Sequence, residues 1–291
     1  MRKNDKFVRM IFKDKKLQSE LEENGFVVIP FLKEEELKSL CAFYEHVHHQ
    51  QDPPHFIENI HMTSWSTDAD YKRSISEGLK DAFQDASHRY FENFRRLNHV
   101  FIVKKGLLES TFKVHQDWNV VDETKFQSVN VWVPLHDVDV KSGALWVLKG
   151  SHKINRTIRG AGYLFPDYSK YAKELEDAAI AVKLKAGEAI VFFHSVIHGS
   201  PPNLADKNRE AACFTVIPKQ APLRIYYQPD KDSRLEVHEP SDDFMFHYKD
   251  LRKEAHITPP TSHPTQLLAG YINRPVDFDE LAVFLKIKSA Y

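Results

Sequence analysis

Apolar residues recur at helical spacing in "KLQSELEENGF", give way to a short continuous run in "GFVVIPF", and return to helical spacing in "KEEELKSLCAFYEHVHH". This pattern predicts a helix, a strand over residues 25–31 and a second amphipathic helix from about Lys33. Residues 50–75 lose periodicity and carry Pro53, Pro54 and Asn59, which predicts a long irregular, lid-like segment. "ISEGLKDAFQDASHRYFENFRRL" is helical again. From His99 the pattern shortens to β-type runs: "HVFIVKK", "TFKVHQDW", "QSVNVWVPLHDV", "GALWVLKG", "AAIAVKLKAG", "EAIVFFH", "REAACFTVIP" and "LRIYYQ". So many short strands, punctuated by Gly and Pro, predict an antiparallel sandwich or barrel rather than βαβ units. In "QSVNVWVPL", Val129, Val131, Val133 and Leu135 share one face, while Ser128, Asn130 and Trp132 share the other. "YSKYAKELEDAA" predicts a helical insertion within residues 153–178. The expected organisation is a single domain over 1–291. It comprises a helical N-terminal part (1–98), a barrel core (99–230) and a C-terminal extension (231–291).

Composition narrows the function classes. The chain has 291 residues, 42% of them hydrophobic, enough for one substantial core. Forty basic side chains face forty-one acidic ones, so no electrostatic footprint of a nucleic-acid binder or a basic membrane anchor is present. No run of 18 apolar residues occurs, and the leader "MRKNDKFVRMIFKDKK" lacks the apolar stretch of a secretory signal. The two cysteines, Cys41 and Cys213, suit buried thiols in a reducing compartment. A cytoplasmic protein acting on a small molecule is expected, with no nucleic-acid or membrane partner; the oligomeric state is left open.

The chemistry centres on "HQD". Residues i and i+2 of a strand point the same way, so His115 and Asp117 can present an imidazole and a carboxylate to one point. A chain of this composition holds roughly two His-x-acid tripeptides by chance, so the tripeptide alone does not establish a metal site. In "GEAIVFFHSVIHGSPPNLADKNREAACF", an apolar strand ends in a turn bearing His198, and Arg209 heads the returning strand. This puts His198 and Arg209 at one mouth of a sheet. Two histidines and a carboxylate with open positions fit non-haem iron and also a hydrolytic zinc site. The zinc alternative offers no general base at H-E-x-x-H spacing and no role for the arginine.

Taken together, "ENGFVVIPFLKEEEL", "HQD", "VWVPLHDVDVKSGALWVLKGSHK", "AGEAIVFFHSVIHGSPPN" and "NREAACFTV" resemble the phytanoyl-CoA dioxygenase family of iron(II)- and 2-oxoglutarate-dependent oxygenases, over roughly residues 20 to 230. The resemblance implies a double-stranded β-helix, a mainly β jelly-roll barrel with flanking helices. It implies Fe(II) held by His115, Asp117 and His198, with 2-oxoglutarate and O₂ at the remaining positions. Arg209 then grips the distal carboxylate of 2-oxoglutarate through a bidentate fork, Ser200 adds a hydrogen bond, and Trp132 and Asn130 border the cosubstrate. Halogenating relatives lack the carboxylate, so Asp117 points to hydroxylation.

Trp118 and Asn119, next to the motif, and Trp65 and Tyr71, in the irregular segment, are the candidate substrate-lining residues. A small polar metabolite or biosynthetic intermediate is expected, because no basic cluster announces a CoA phosphate site. An inactive barrel that binds a small molecule is the reading from another class. The remaining candidates take structural readings: "HVHH" as the polar end of a helix, His194 as a support to the site, His152 and His136 as turn residues, and Lys104 and Lys105 as a solvated strand edge.

Overall fold

A computed structural model describes residues 10–49, 51–154, 157–164, 166–247, 263–272 and 278–285. Helix α1 (Lys15–Asn24) starts where Asp14 accepts hydrogen bonds from the backbone N–H groups of Lys16 and Leu17. It ends at Gly25, whose φ of 87° is left-handed, and where a Cβ would lie 2.5 Å from the His152 ring. That reversal feeds strand β1 (Phe26–Ile29) directly onto the sheet, followed by α2 (Glu34–His48), β2 (Ile60–Met62), α3 (Ala69–Ala82), α4 (Gln84–Tyr90) and β3 (Phe94–Lys104). The elements that follow are β4 (Phe112–His115), β5 (Val129–Pro134), β6 (Trp146–Val147), β7 (Ala161–Gly162), α5 (Ala172–Ala178), β8 (Ile180–Ala181) and β9 (Ala189–Phe193). Strands β10 (His198–Ser200), β11 (Arg209–Pro218), β12 (Ile225–Gln228), β13 (Leu235–His238) and β14 (Gln266–Leu268) precede α6 (Phe278–Leu285).

Two sheets form the jelly roll. The major sheet has the order β1-β9-β5-β11-β3-β2, and the minor sheet the order β4-β10-β6-β8, all antiparallel. Both contribute walls to one cavity, and hydrogen bonding does not close them into a continuous barrel. A third sheet, β14-β13-β12-β7, adds a parallel β7–β12 pair.

Residues from the N-terminal helices, including Leu21, Leu40, Leu79 and Phe83, are fully buried in one cluster with Val131, Phe101 and Phe214 of the major sheet. Phe214 stacks on Phe83 at 4.9 Å between ring centres. Each such ring taken out of water stabilises the fold by about 1.5–3 kcal/mol. Opposite Phe214 the ladder slips: Cys213 pairs with Val100 and Thr215 with Leu97, so Asn98 and His99 together face one residue. This β-bulge sets Asn98 at φ 50°.

Several elements differ from the sequence pattern. The segment expected to be irregular contains β2, which pairs Ile60 with Lys104 at the edge of the major sheet, and α3 begins at Ala69 within it. Three residues are too few to show alternation. The N-terminal part therefore supplies both edge strands of the major sheet as well as helices. The insertion holds β7 besides its helix, and β12 joins the third sheet rather than the jelly roll.

Candidate active site

The "HQD" tripeptide is held from several sides. Strand β4 stops at His115, which pairs with His198 of β10. Gln116 is fully buried; its amide donates to the Ser195 carbonyl at 2.5 Å and its Oε1 accepts from the Tyr168 hydroxyl at 2.6 Å. Asp117 donates its N–H to the His194 carbonyl at 3.0 Å. Its own carbonyl accepts from Nε of Arg159 at 2.7 Å, and Arg159 is completely buried and paired with Glu123 at 2.6 Å.

One ligand atom from each of His115, Asp117 and His198 lies within 4.8 Å of the others. Nε2 of His115 is 3.6 Å from Asp117 Oδ1, and Nε2 of His198 is 3.7 Å from Asp117 Oδ2. Both histidines spend Nδ1 on a main-chain carbonyl two residues back, Lys113 at 2.8 Å and Val196 at 2.9 Å. A carbonyl only accepts, so Nδ1 carries a proton, and each ring in its neutral form presents the Nε2 lone pair to the common point. This is the geometry a divalent metal requires of its imidazoles.

Burial, and then the charge of His115, push His198 down to about 4. Burial opposes a charge on His115 as well, but the hydrogen bond to Asp117 and its charge leave the pKa above the ordinary histidine value. Burial would raise Asp117, yet the two imidazoles hold it well below the usual carboxylate range. An arriving cation takes over the role of the His115 proton.

The carboxylate is also oriented across the cavity by the major sheet. Asn130 of β5 donates Nδ2–H to Asp117 Oδ2 at 2.8 Å. Its Oδ1 accepts from Thr215 Oγ1 at 2.7 Å and from His194 Nε2 at 3.0 Å, and His194 Nδ1 faces Ser128 Oγ at 3.1 Å. Asn130 thus acts on Asp117, and His194, kept neutral by burial, acts on Asn130.

Arg209 is buried at the head of β11. It donates to the Gly143 carbonyl at 2.9 Å and lies 5.0 Å from the Trp132 ring centre, while its Nε is buried without a partner. Ser200 is buried on the same cavity wall. Beside them is a residue that the sequence pattern misplaces. Lys104, expected on a solvated edge, is fully buried, pairs in register with Arg209, and donates to the carbonyls of Ser200 at 3.1 Å and Pro201 at 2.6 Å. Burial, and then the charge of Arg209, push it down to about 6. Lys105 matches expectation better, being partly exposed, 3.4 Å from Asp52 and 4.5 Å from the Phe56 ring centre.

These groups border a cavity of about 320 Å³. Trp65 and Trp118 line it; Asn119 and Tyr71 do not. Asn119 turns away, its Oδ1 accepting from the Arg159 N–H at 2.6 Å. The Tyr71 hydroxyl sits between Nε2 of His48 at 2.8 Å and Nε2 of His61 at 3.2 Å. His48 is therefore a buried structural residue, while His46 and His49 are exposed as expected of a helix end. His152 bonds the Glu22 carbonyl at 3.0 Å and His136 is exposed. Arg159 was not singled out from the sequence, where no periodic or motif signal marks it. Among the described residues no helix is long and apolar enough to cross a membrane.

The family model described as phytanoyl-CoA dioxygenase (PhyH) matches residues 21–211. The chain is similar to a phytanoyl-CoA dioxygenase of Arabidopsis thaliana, 30% identical over 121 residues, 40% of this chain and 42% of that protein. It is also similar to a phytanoyl-CoA dioxygenase domain-containing protein 1 of Danio rerio, 27% identical over 128 residues, 42% of this chain and 44% of that protein. These matches span less than half the length of the curated relatives. Among solved structures, the non-heme alpha ketoglutarate dependent carbocyclase SnoK from nogalamycin biosynthesis superposes with a TM-score of 0.54 at 17% identity, over 88% of this chain and 96% of that one. HygX from Streptomyces hygroscopicus, with nickel and 2-oxoglutarate bound, superposes with a TM-score of 0.50 at 16% identity, over 71% of this chain and 88% of that one. At these identities the likeness is one of fold.

Proposed function

The chain belongs to the phytanoyl-CoA dioxygenase family, and from that premise we propose that it is an iron(II)- and 2-oxoglutarate-dependent oxygenase that hydroxylates an unactivated C–H bond of a small molecule, releasing succinate and CO₂. The observation that carries this reading is the convergence of the two Nε2 lone pairs and the Asp117 carboxylate on one point of the cavity wall. Iron bound there would supply the oxygen-activating redox chemistry.

The residues of this chain bind and orient. His115, Asp117 and His198 would hold the metal. Asn130 keeps one carboxylate oxygen of Asp117 engaged at 2.8 Å, which limits the ways the carboxylate can turn. Arg209, with one guanidinium nitrogen spent on Gly143 and a buried Nε without a partner, offers a fixed cation to the distal carboxylate of 2-oxoglutarate. Ser200 and Lys104 stand beside it. Trp132 covers the guanidinium and excludes water from that end. A hydrolytic zinc site has no use for this buried cation.

The test is anaerobic addition of iron(II) and then 2-oxoglutarate. The expected result is the weak visible charge-transfer band of a bidentate 2-oxoglutarate on iron, absent in His198→Ala. Folded, iron-loaded protein that gives no band would overturn the assignment.

A further inference from the structure

We infer that the primary substrate is an uncharged, mainly apolar small molecule bearing a carbonyl or hydroxyl oxygen, and that Asn98 is the residue that recognises this oxygen. The inference rests on the oxygenase reading of the site and specifies what occupies the rest of its cavity.

The first observation is charge. Among the described residues lining the cavity, Arg209 is the single lysine or arginine and Asp117 the single carboxylate, and both are engaged with the metal or cosubstrate end. The remaining wall is built from side chains such as Met62, Trp65, Ile102, Trp118, Leu223 and Phe244. An anionic substrate entering there would lose hydration with no cation to replace it. A polar metabolite would likewise leave hydroxyl or amide groups against hydrocarbon. The walls thus disagree with the polar metabolite expected from the sequence.

The second observation is an uncommitted amide that this wall retains, beside Ser64, whose buried Oγ also has no partner. Asn98 stands at the β-bulge of β3, at φ 50°, a left-handed conformation that side-chain-bearing residues adopt at a penalty. A bulge re-aims one side chain out of the regular alternation. Here it brings Asn98 to the wall of the cavity, and no hydrogen bond of its amide is found among the described residues. Every other amide side chain on that wall is committed: Gln116 to Ser195 and Tyr168, Asn130 to Asp117.

A second cavity, of about 220 Å³, shares Asn98 and Ser64 with the first and does contain cations. There Lys72, Lys80 and Arg96 are balanced by Glu77, Asp242 and Asp243. Arg96 is spent on the Lys80 carbonyl at 2.8 Å and on Gln84. That neighbour offers an anionic tail no net attraction.

The experiment compares three probes with one carbon skeleton: 2-undecanone, undecanoate and undecanoyl-CoA. Binding to metal-free protein in excess 2-oxoglutarate, which keeps Arg209 occupied, is followed by tryptophan fluorescence, since Trp65 and Trp118 line the cavity. The ketone should bind at least about tenfold more tightly than either anion, the scale of one unpaired buried polar group. Asn98→Gly, which tolerates the left-handed backbone, and Asn98→Asp, which keeps the shape but removes the donor, should each weaken the ketone by about tenfold. Equal or tighter binding of undecanoate or its CoA ester, or unchanged ketone affinity in both folded variants, would overturn the proposal. Because the titration needs no iron, a missing charge-transfer band alongside normal ketone binding would strike the cofactor assignment alone.

Discussion

The two sheets of the jelly roll do opposite work with the same kind of strand. In the major sheet β3 and β11 run for 11 and 10 residues, β11 buried along nearly its whole length and β3 from His99 onward. In the minor sheet β4 has four residues, β10 three, and β6 and β8 two each. Both histidines of the candidate metal site belong to the weaker sheet. So few ladder bonds do not fix a side chain to within the tolerance a metal demands. The deficit is made up by bonds between side chain and backbone: Ser151 Oγ accepts from the Ile197 N–H at 2.8 Å, Gln116 donates to Ser195, and Arg159 donates to Asp117. The long sheet is rigid through its hydrophobic burial, and the short one through buried polar bonds.

The contrast can be broken by mutation. Phe214→Ala in the major sheet should destabilise the protein by about 3–5 kcal/mol through the cavity left among Phe31, Phe83 and His99. Urea denaturation reads this loss, and the fraction that stays folded should still bind metal with unchanged affinity. Asn130→Ala, which cuts the link between the sheets, should weaken metal binding by about 10- to 100-fold while shifting the urea midpoint less than Phe214→Ala does. If instead it lowered stability as far as Phe214→Ala while leaving metal affinity intact, the division of labour would be wrong.

The effect smallest at neutral pH concerns His99, whose Nε2 is buried without a partner in the major sheet. Burial, and then the neighbouring charges of Arg96 and Lys80, push His99 down to about 3. The unfolded chain takes up that proton near pH 6.5 and the native state only near 3. Stability is therefore whole above about pH 6.5 and falls as pH drops toward 3, by at most about 1.4 kcal/mol per unit. His99→Phe should flatten the slope of stability against pH in that window. An identical slope in the variant would show that the imidazole reaches solvent.

Legibility followed how local the signal was. The stretch that sets His198 ahead of Arg209 is legible by itself, because it is continuous and its strand-turn-strand order sets its position, whereas "HQD" is a tripeptide expected by chance and points to a ligand pair only through the family resemblance. Lys104 could not be read, because β3 is buried on both faces at Ile102, Val103 and Lys104, so alternation no longer separates inside from outside. Tyr71 looked like part of a lid because the three residues of β2 carry no period, yet they dock their segment on the sheet edge. The apolar character of the cavity was hidden for a related reason. Its walls are single residues taken from many separate segments, and no single stretch displays them together.

The register that sets His198 opposite His115 has a consequence in time. Asp117 and His198 are 81 positions apart (198 − 117), so at about 5–20 residues per second a nascent chain carries "HQD" for several seconds before its third ligand is made. During that interval the tripeptide has neither β10 to pair with nor the His194 carbonyl to dock on. Under the proposed assignment iron capture follows the synthesis of β10, and a chain stalled before residue 198 would present the metal with two donors from one strand end.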